Sequence, residues 1–172
     1  PRTFKIEPAS FLDTPTCGLD YDTEFPPALA IDENQFELGP GEIKEVAITG
    51  SYDPTRTDGF FGALLMSDIT EELAGNEGIS NKARIAATFR MRGQEPWTVE
   101  VVPEVAEVFQ EGLNAVQYSL RLRNTGKVDI IASGTVQAEI NGVTVREQLT
   151  EQRIYPGLCG YVTSIFEYDT LN

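Results

Sequence analysis

An all-β chain, arranged as two consecutive sandwiches, is what the sequence predicts, on three observations. Apolar and polar residues alternate with a period of two along most of the 172 residues. Runs with helical periodicity are scarce. The 15 glycines and 10 prolines fall mostly between the alternating runs, so the strands are short and closely spaced, as in a sandwich.

Thr3–Glu7, Ala28–Ile31 and Gln35–Leu38 open the series of expected strands. Gly39-Pro40-Gly41 then turns the chain into Glu42–Thr49, where Val46 and Ile48 share a face. Phe60–Met66 and Lys82–Met91 follow, with a helical turn or polar loop between them at Asp68–Leu73. There Asp68 stands as a cap with Glu71 three residues on, and Gly75-Asn76-Glu77-Gly78 stops the turn. After Gly93-Gln94-Glu95-Pro96, the expected domain boundary, come Trp97–Val102 and Val116–Arg123. The second of these alternates without a break and points Val116, Tyr118, Leu120 and Leu122 inward. Lys127–Ile131 and Gly160–Tyr168 are further strands. The strongest local signal is Asn141-Gly142 between two alternating runs, 134–140 and 143–150. Both residues tolerate the positive φ of a two-residue hairpin turn. The domains expected are therefore 1–95 and 96–172.

Charge and composition narrow the function. Acidic residues number 27 against 13 basic ones, a net charge of -14, which is a poor match to nucleic acid or anionic lipid. There is no histidine, which removes Ser-His and Cys-His catalysis and His-ligated zinc together. No apolar run approaches the roughly 20 residues of a membrane-spanning helix, and no basic-then-apolar leader opens the chain. Cys17 and Cys159 fall in different expected domains, so two separate thiols are expected rather than a bridge.

The stretch Phe36-Glu37-Leu38-Gly39-Pro40-Gly41-Glu42 with its following strand, then Asp58-Gly59-Phe60-Phe61-Gly62-Ala63-Leu64-Leu65, resembles bacterial immunoglobulin-like proteins of the broad PapD-like group. Arg123-Asn124-Thr125-Gly126-Lys127-Val128, Gly134-Thr135-Val136 and Tyr155-Pro156-Gly157 extend that resemblance, which spans roughly 28–168. It implies two immunoglobulin-like β-sandwich domains in a periplasmic, secreted or cell-surface protein. Two departures from the group stand out. The paired basic residues with which fimbrial chaperones anchor a client's carboxylate are not recognisable as a motif. Thr3–Glu7 also looks like a middle strand, which leaves the first sandwich short of its opening strands.

Candidate chemistry is thin. Residues 6–43 hold nine acidic side chains and no basic one; within them Asp20, Asp22 and Glu24 alternate as oxygen ligands of calcium would. The sixth-position glycine and distal glutamate of an EF-hand loop are missing, and a solvated acidic loop is the expectation. No carboxylate pair stands out by its spacing for hydrolysis, and no G-x-S-x-G elbow occurs. Trp97, Phe60, Phe61, Phe109 and Tyr118 offer an aromatic platform, although sandwich cores require such residues anyway. The expected role is a non-catalytic structural or assembly module of a filament or surface complex, with protein partners or copies of itself and no cofactor. The alternative is a chaperone-like module that captures a client strand by β-augmentation. The candidate contact residues are Phe4, Ile6 and Phe11, which either pair at home or enter a neighbour's groove, together with Phe60 and Phe61 beside the edge to be completed.

Overall fold

The computed structural model describes residues 1–24, 29–51, 53, 55–73, 84–112, 114–140 and 142–167. Among them lie fourteen strands and one helical turn: β1 Arg2–Asp13, β2 Leu19–Asp22, β3 Leu29–Ile31, β4 Gln35–Leu38, β5 Ile48–Gly50, β6 Gly59–Asp68, α1 Thr70–Leu73, β7 Arg84–Arg92, β8 Val101–Gln110, β9 Ala115–Asn124, β10 Ile130–Ala132, β11 Thr135–Ile140, β12 Val143–Gln148, β13 Gln152–Ile154 and β14 Cys159–Glu167. The fold is all-β. Its chain forms two compact units. The first comprises Pro1–Leu12, Asp20–Arg56 and Phe60–Gly93; the second comprises Asp13–Leu19, Thr57–Gly59 and Gln94–Asn172.

In the first unit the sheet runs β2-β1-β6-β7, with β4 also paired to β1, and β3 pairs with β5 in a small second ladder. Strand β1 is central. It meets β4 antiparallel from Arg2↔Leu38 to Lys5↔Gln35, and β6 from Phe4↔Asp68 to Ala9↔Ala63. Residues 2–9 thus pair within their own sheet. The strand continues through Pro8, which has no N–H to donate, because Pro8 lies past the residues that pair with β4. Ala9, Ala63 and Leu65 are buried on one face of this sheet, with Phe11 and Tyr21 packed against them. On the other face Phe36 is buried beside Phe4, their ring centroids 6.3 Å apart.

Asp68 does cap the single helical turn, though through Thr70: its Oδ1 accepts from Thr70 N at 3.0 Å and from Thr70 Oγ1 at 2.7 Å. The expected stop at Gly75–Gly78 lies outside the described residues, as does Ala28.

The second unit holds the sheet β14-β9-β8 and two smaller ladders, β10-β13 and β11-β12. Register pairs Val116, Tyr118, Leu120 and Leu122 of β9 with Phe166, Ser164, Val162 and Gly160 of β14. Directly opposed residues share a face, so the alternation read from β9 matches the buried row of β14. Val128, Ile130, Ala132, Ile154, Tyr155 and Leu158 complete this core. Asn124 is fully buried and satisfies it: Nδ2 donates to Val128 O at 2.8 Å and Ile154 O at 2.9 Å, while Oδ1 accepts from Gly126 N at 3.0 Å. A side chain on Gly126 would meet Thr98 O at 2.6 Å and Glu100 N at 2.8 Å, which explains the glycine after Thr125. The β11–β12 hairpin closes at Ile140↔Val143 with Gly142 at φ 76°; Asn141 lies outside the described residues.

Cys17 and Cys159 are bonded to each other, with Cα atoms 5.0 Å apart. The expectation of two separate thiols is therefore wrong. It assumed that residues 13–19 stay with the acidic segment around them. Instead, Asp13–Leu19 belongs to the second unit, where Cys159 opens β14.

Candidate protein-interaction surface

Asp129 is buried, and its carboxylate is engaged by Arg153. Asp20 and Asp22 sit on β2; their Oδ1 atoms accept from Tyr21 N and Glu24 N, both at 2.8 Å. Among the described residues no three acidic, cysteine or histidine side chains gather closely enough to hold a metal ion, so Asp20, Asp22 and Glu24 do not form a cage. No helix among them is long and apolar enough to cross a membrane.

A pair of arginines does converge. Arg121 and Arg123 alternate on β9, so both point to the face opposite the core row. Arg123 binds Asp13 Oδ2 at 2.8 Å, Gly157 O at 2.9 Å and Glu104 Oε1. Arg121 donates to Pro15 O at 3.2 Å, and its Nε lies 2.7 Å from Glu104 Oε2. The hydrogen bond from Arg123, helped by the charges of both arginines, holds the Glu104 carboxyl below the usual glutamate range. Together with the disulfide, these contacts fasten residues 13–19 onto the second unit. Both guanidinium groups have partners within the chain.

Among the described residues, β7 stands last in the first unit's sheet, and its sequence Arg-Ile-Ala-Ala-Thr-Phe-Arg-Met-Arg largely alternates polar and apolar residues. Phe89 lies against Phe60, centroids 5.6 Å apart, and over Gly62, where a Cβ would stand 2.7 Å from its ring. That contact assigns Ile85, Ala87, Phe89 and Met91 to the face that carries Phe60. Of this row only Phe89 is half-buried; Ile85 is 61% exposed and Met91 39%. Strand β8 likewise ends the sheet β14-β9-β8, with Val102, Val105, Val108 and Phe109 exposed. An extra residue between Pro103 and Val105 bulges it where Glu104 turns toward the arginines.

The residues singled out from sequence are split by this geometry. Phe4, Ile6 and Phe60 share one face of the first unit's sheet, whereas Phe11 and Phe61 lie on the other, as the β1–β6 register requires. All five are half-buried, and Phe11 packs on Tyr21 at 6.1 Å. Of the aromatic platform, Trp97 and Phe109 are exposed while Phe60, Phe61 and Tyr118 are half-buried. Sequence reasoning placed a strand at 82–91 but did not single it out as a contact surface. Its alternation was visible; that it ends a sheet is a property of strand order.

No protein family and no curated protein matches the sequence. Among solved structures, the chain is similar to one in a chaperone–tip adhesin complex described as vital for synergistic activation of CFA/I fimbriae biogenesis. The TM-score is 0.52 and the identity 15%, over 99% of this chain and 72% of that one, so the likeness is one of fold.

Proposed function

We propose that the chain is a non-catalytic protein-interaction module of an extracytoplasmic assembly and associates through its sheet edges. The observation that carries this reading is β7, outermost in its sheet among the described residues, whose apolar row includes exposed Ile85 and Met91. Such an edge pairs readily with another strand, and proteins that leave one uncovered ordinarily have a partner for it. The disulfide suits an oxidising compartment, and the fold likeness to a fimbrial chaperone–adhesin chain agrees with it. In this reading, 1–95 and 96–172 are two immunoglobulin-like sandwich domains, each presenting one edge.

A second reading, a chaperone-like module that holds a client's strand along β7, is favoured by the same likeness and by the contrast in charge between β7 and the rest of this acidic chain. Photo-crosslinking in the cell of origin tests the shared claim. A photoreactive residue at Ile85 or at Val108 should give discrete protein adducts, whereas one at Ile43, which is 93% exposed in a loop, should not. Absence of adducts from both edges, or equal labelling from Ile43, would overturn it.

A further inference from the structure

We infer that β8 takes up an extended segment of a basic partner protein, a segment with basic residues four positions apart among apolar ones. This names the partner for one of the two edges of the proposed assembly module, the reading on which it rests.

The strand itself is the first argument. Nine of the ten residues of β8 are exposed. Register sets Val105, Glu107 and Phe109 opposite Arg121, Ser119 and Gln117 on one face. Ala106, Val108 and Gln110 stand opposite Leu120, Tyr118 and Val116 on the other. Val105, Val108 and Phe109 are all exposed, Val108 by 67%, so apolar side chains meet water on both faces of one strand. A strand with one solvated face keeps its apolar residues on the other; apolar residues on both faces mark a strand that is covered on both. Among the described residues β8 pairs with β9 alone, so its other side offers backbone donors and acceptors to an added strand. Pro103 and the bulge beside it blunt the start of β8, which leaves 105–110 as the receptive stretch.

Charge selects the occupant. Glu107 lies within this stretch, Glu111 stands four positions further on, and no basic residue lies between 105 and 111. Glu104 is taken by Arg121 and Arg123, whereas no ion pair engages Glu107 or Glu111 among the described residues. Glu111 N donates to Ala115 O at 2.8 Å, which prolongs the ladder by one residue and keeps Glu111 on the Glu107 face. Directly opposed residues of an added strand share that face, where opposite charges are stabilising. Basic residues four positions apart thus meet Glu107 and Glu111, with apolar ones beside Val105, Val108 and Phe109.

A second copy of this chain fits poorly. Two β8 strands set glutamates against glutamates, and each chain carries a net charge of -14. In β7, Arg90 and Arg92 already have partners within their own chain. Nucleic acid and anionic lipid are repelled by the same acidic surface.

Amide NMR titration of the intact, oxidised chain with two synthetic peptides tests this. Both peptides alternate valine with threonine; one has lysine in place of two threonines four positions apart, the other glutamate. The lysine peptide should shift the amides of 105–110. At low ionic strength it should bind roughly tenfold more tightly than the glutamate peptide, because two cross-strand pairs change sign. Glu107→Lys/Glu111→Lys should remove that preference, with circular dichroism confirming the fold. Should that variant not fold, Glu107→Gln/Glu111→Gln keeps the shape without the charge and should reduce the preference in the same direction. Glu37→Lys/Glu45→Lys changes the net charge as much as the lysine variant does, away from β8, and should keep it. An equal loss in that control, equal binding of both peptides, no shift at 105–110 with either, or self-association through β8 each overturns the inference. The assembly reading then still stands if Ile85 or Val108 gives discrete adducts in the cell, and falls only if neither does.

Discussion

The two compact units solve the problem of a small sandwich differently. The second fills its interior with Val128, Ile154, Val162 and Phe166, satisfies its buried Asn124 completely, and ties residues 13–19 down with a disulfide and two arginines. The first buries Ala9, Ala63, Leu65, Phe36 and Ile69, two of them alanines, and leaves the Ile85 and Met91 ends of its outermost strand in water. Apolar area removed from water is the main stabilising term in either unit. The difference lies in what fills the interior: large side chains in the second unit, partly alanines in the first, while each unit leaves an apolar outermost strand exposed among the described residues.

The largest expected effect tests that contrast directly. Phe166, 2% exposed, fills the second unit's core, and Phe166→Ala should cost about 3–5 kcal/mol through lost burial and the cavity left behind. Ile85→Ala, at a site 61% exposed, should stay within about 0.5 kcal/mol. Denaturant titration read by Trp97, the one tryptophan, follows the second unit; circular dichroism follows the whole chain. Comparable losses from both substitutions would mean that β7 is a packing element of the first unit despite the exposure of Ile85.

The next effect concerns the covalent tie. Cys17 and Cys159 are 142 positions apart in sequence, so their bond restricts the unfolded chain strongly. Replacing both with serine should cost about 2–4 kcal/mol. The loss should appear in the Trp97 transition, because both cysteines belong to the second unit. An unchanged midpoint would show that Arg121 and Arg123 hold residues 13–19 unaided.

Much of this architecture was legible because alternation is local. β4 lies at Gln35–Leu38 as expected, and β9, β11 and β12 fall within two residues of their expected limits. Local reading failed where tertiary structure overrode it. A strand was expected at Trp97–Val102, but β8 runs Val101–Gln110, through a proline and a bulge that an edge strand tolerates. Residues before it bond elsewhere: Lys127 N donates to Thr98 O at 2.9 Å. β5 shrinks to Ile48–Gly50, so most of the alternation at 42–49 does not become ladder. The disulfide was invisible for a deeper reason. Nothing local to Cys17 says that its turn, closed by Cys17 N on Thr14 O at 2.9 Å, joins a strand opening at Cys159. The outermost strands were hidden in the same way. Five aromatic and aliphatic residues were chosen for their apolar character, and they fell on two faces of one sheet; edge status needed the strand order.

The smallest effect isolates the charge network of the second unit. Glu104 receives Arg123 and Arg121 at once, and the hydrogen bond from Arg123 lowers its folded-state pKa. Once unfolded it titrates near an ordinary glutamate value of about 4.3. Between the two values the unfolded state binds more protons, so stability falls as the medium is acidified. The stabilising contribution is fully present above about pH 4.3 and is lost as pH drops through the depressed folded value. Glu104→Gln keeps the shape and removes the titration. Its Trp97 transition should therefore respond less to acid below that pH than the unsubstituted chain's, while the two differ by a constant amount near neutrality. The exposure of this network keeps the difference modest, and added salt should shrink it further. Parallel acid limbs for the two proteins would show that Glu104 contributes no more than a solvated surface carboxylate. The second unit's hold on residues 13–19 would then rest on the disulfide and on Asp13.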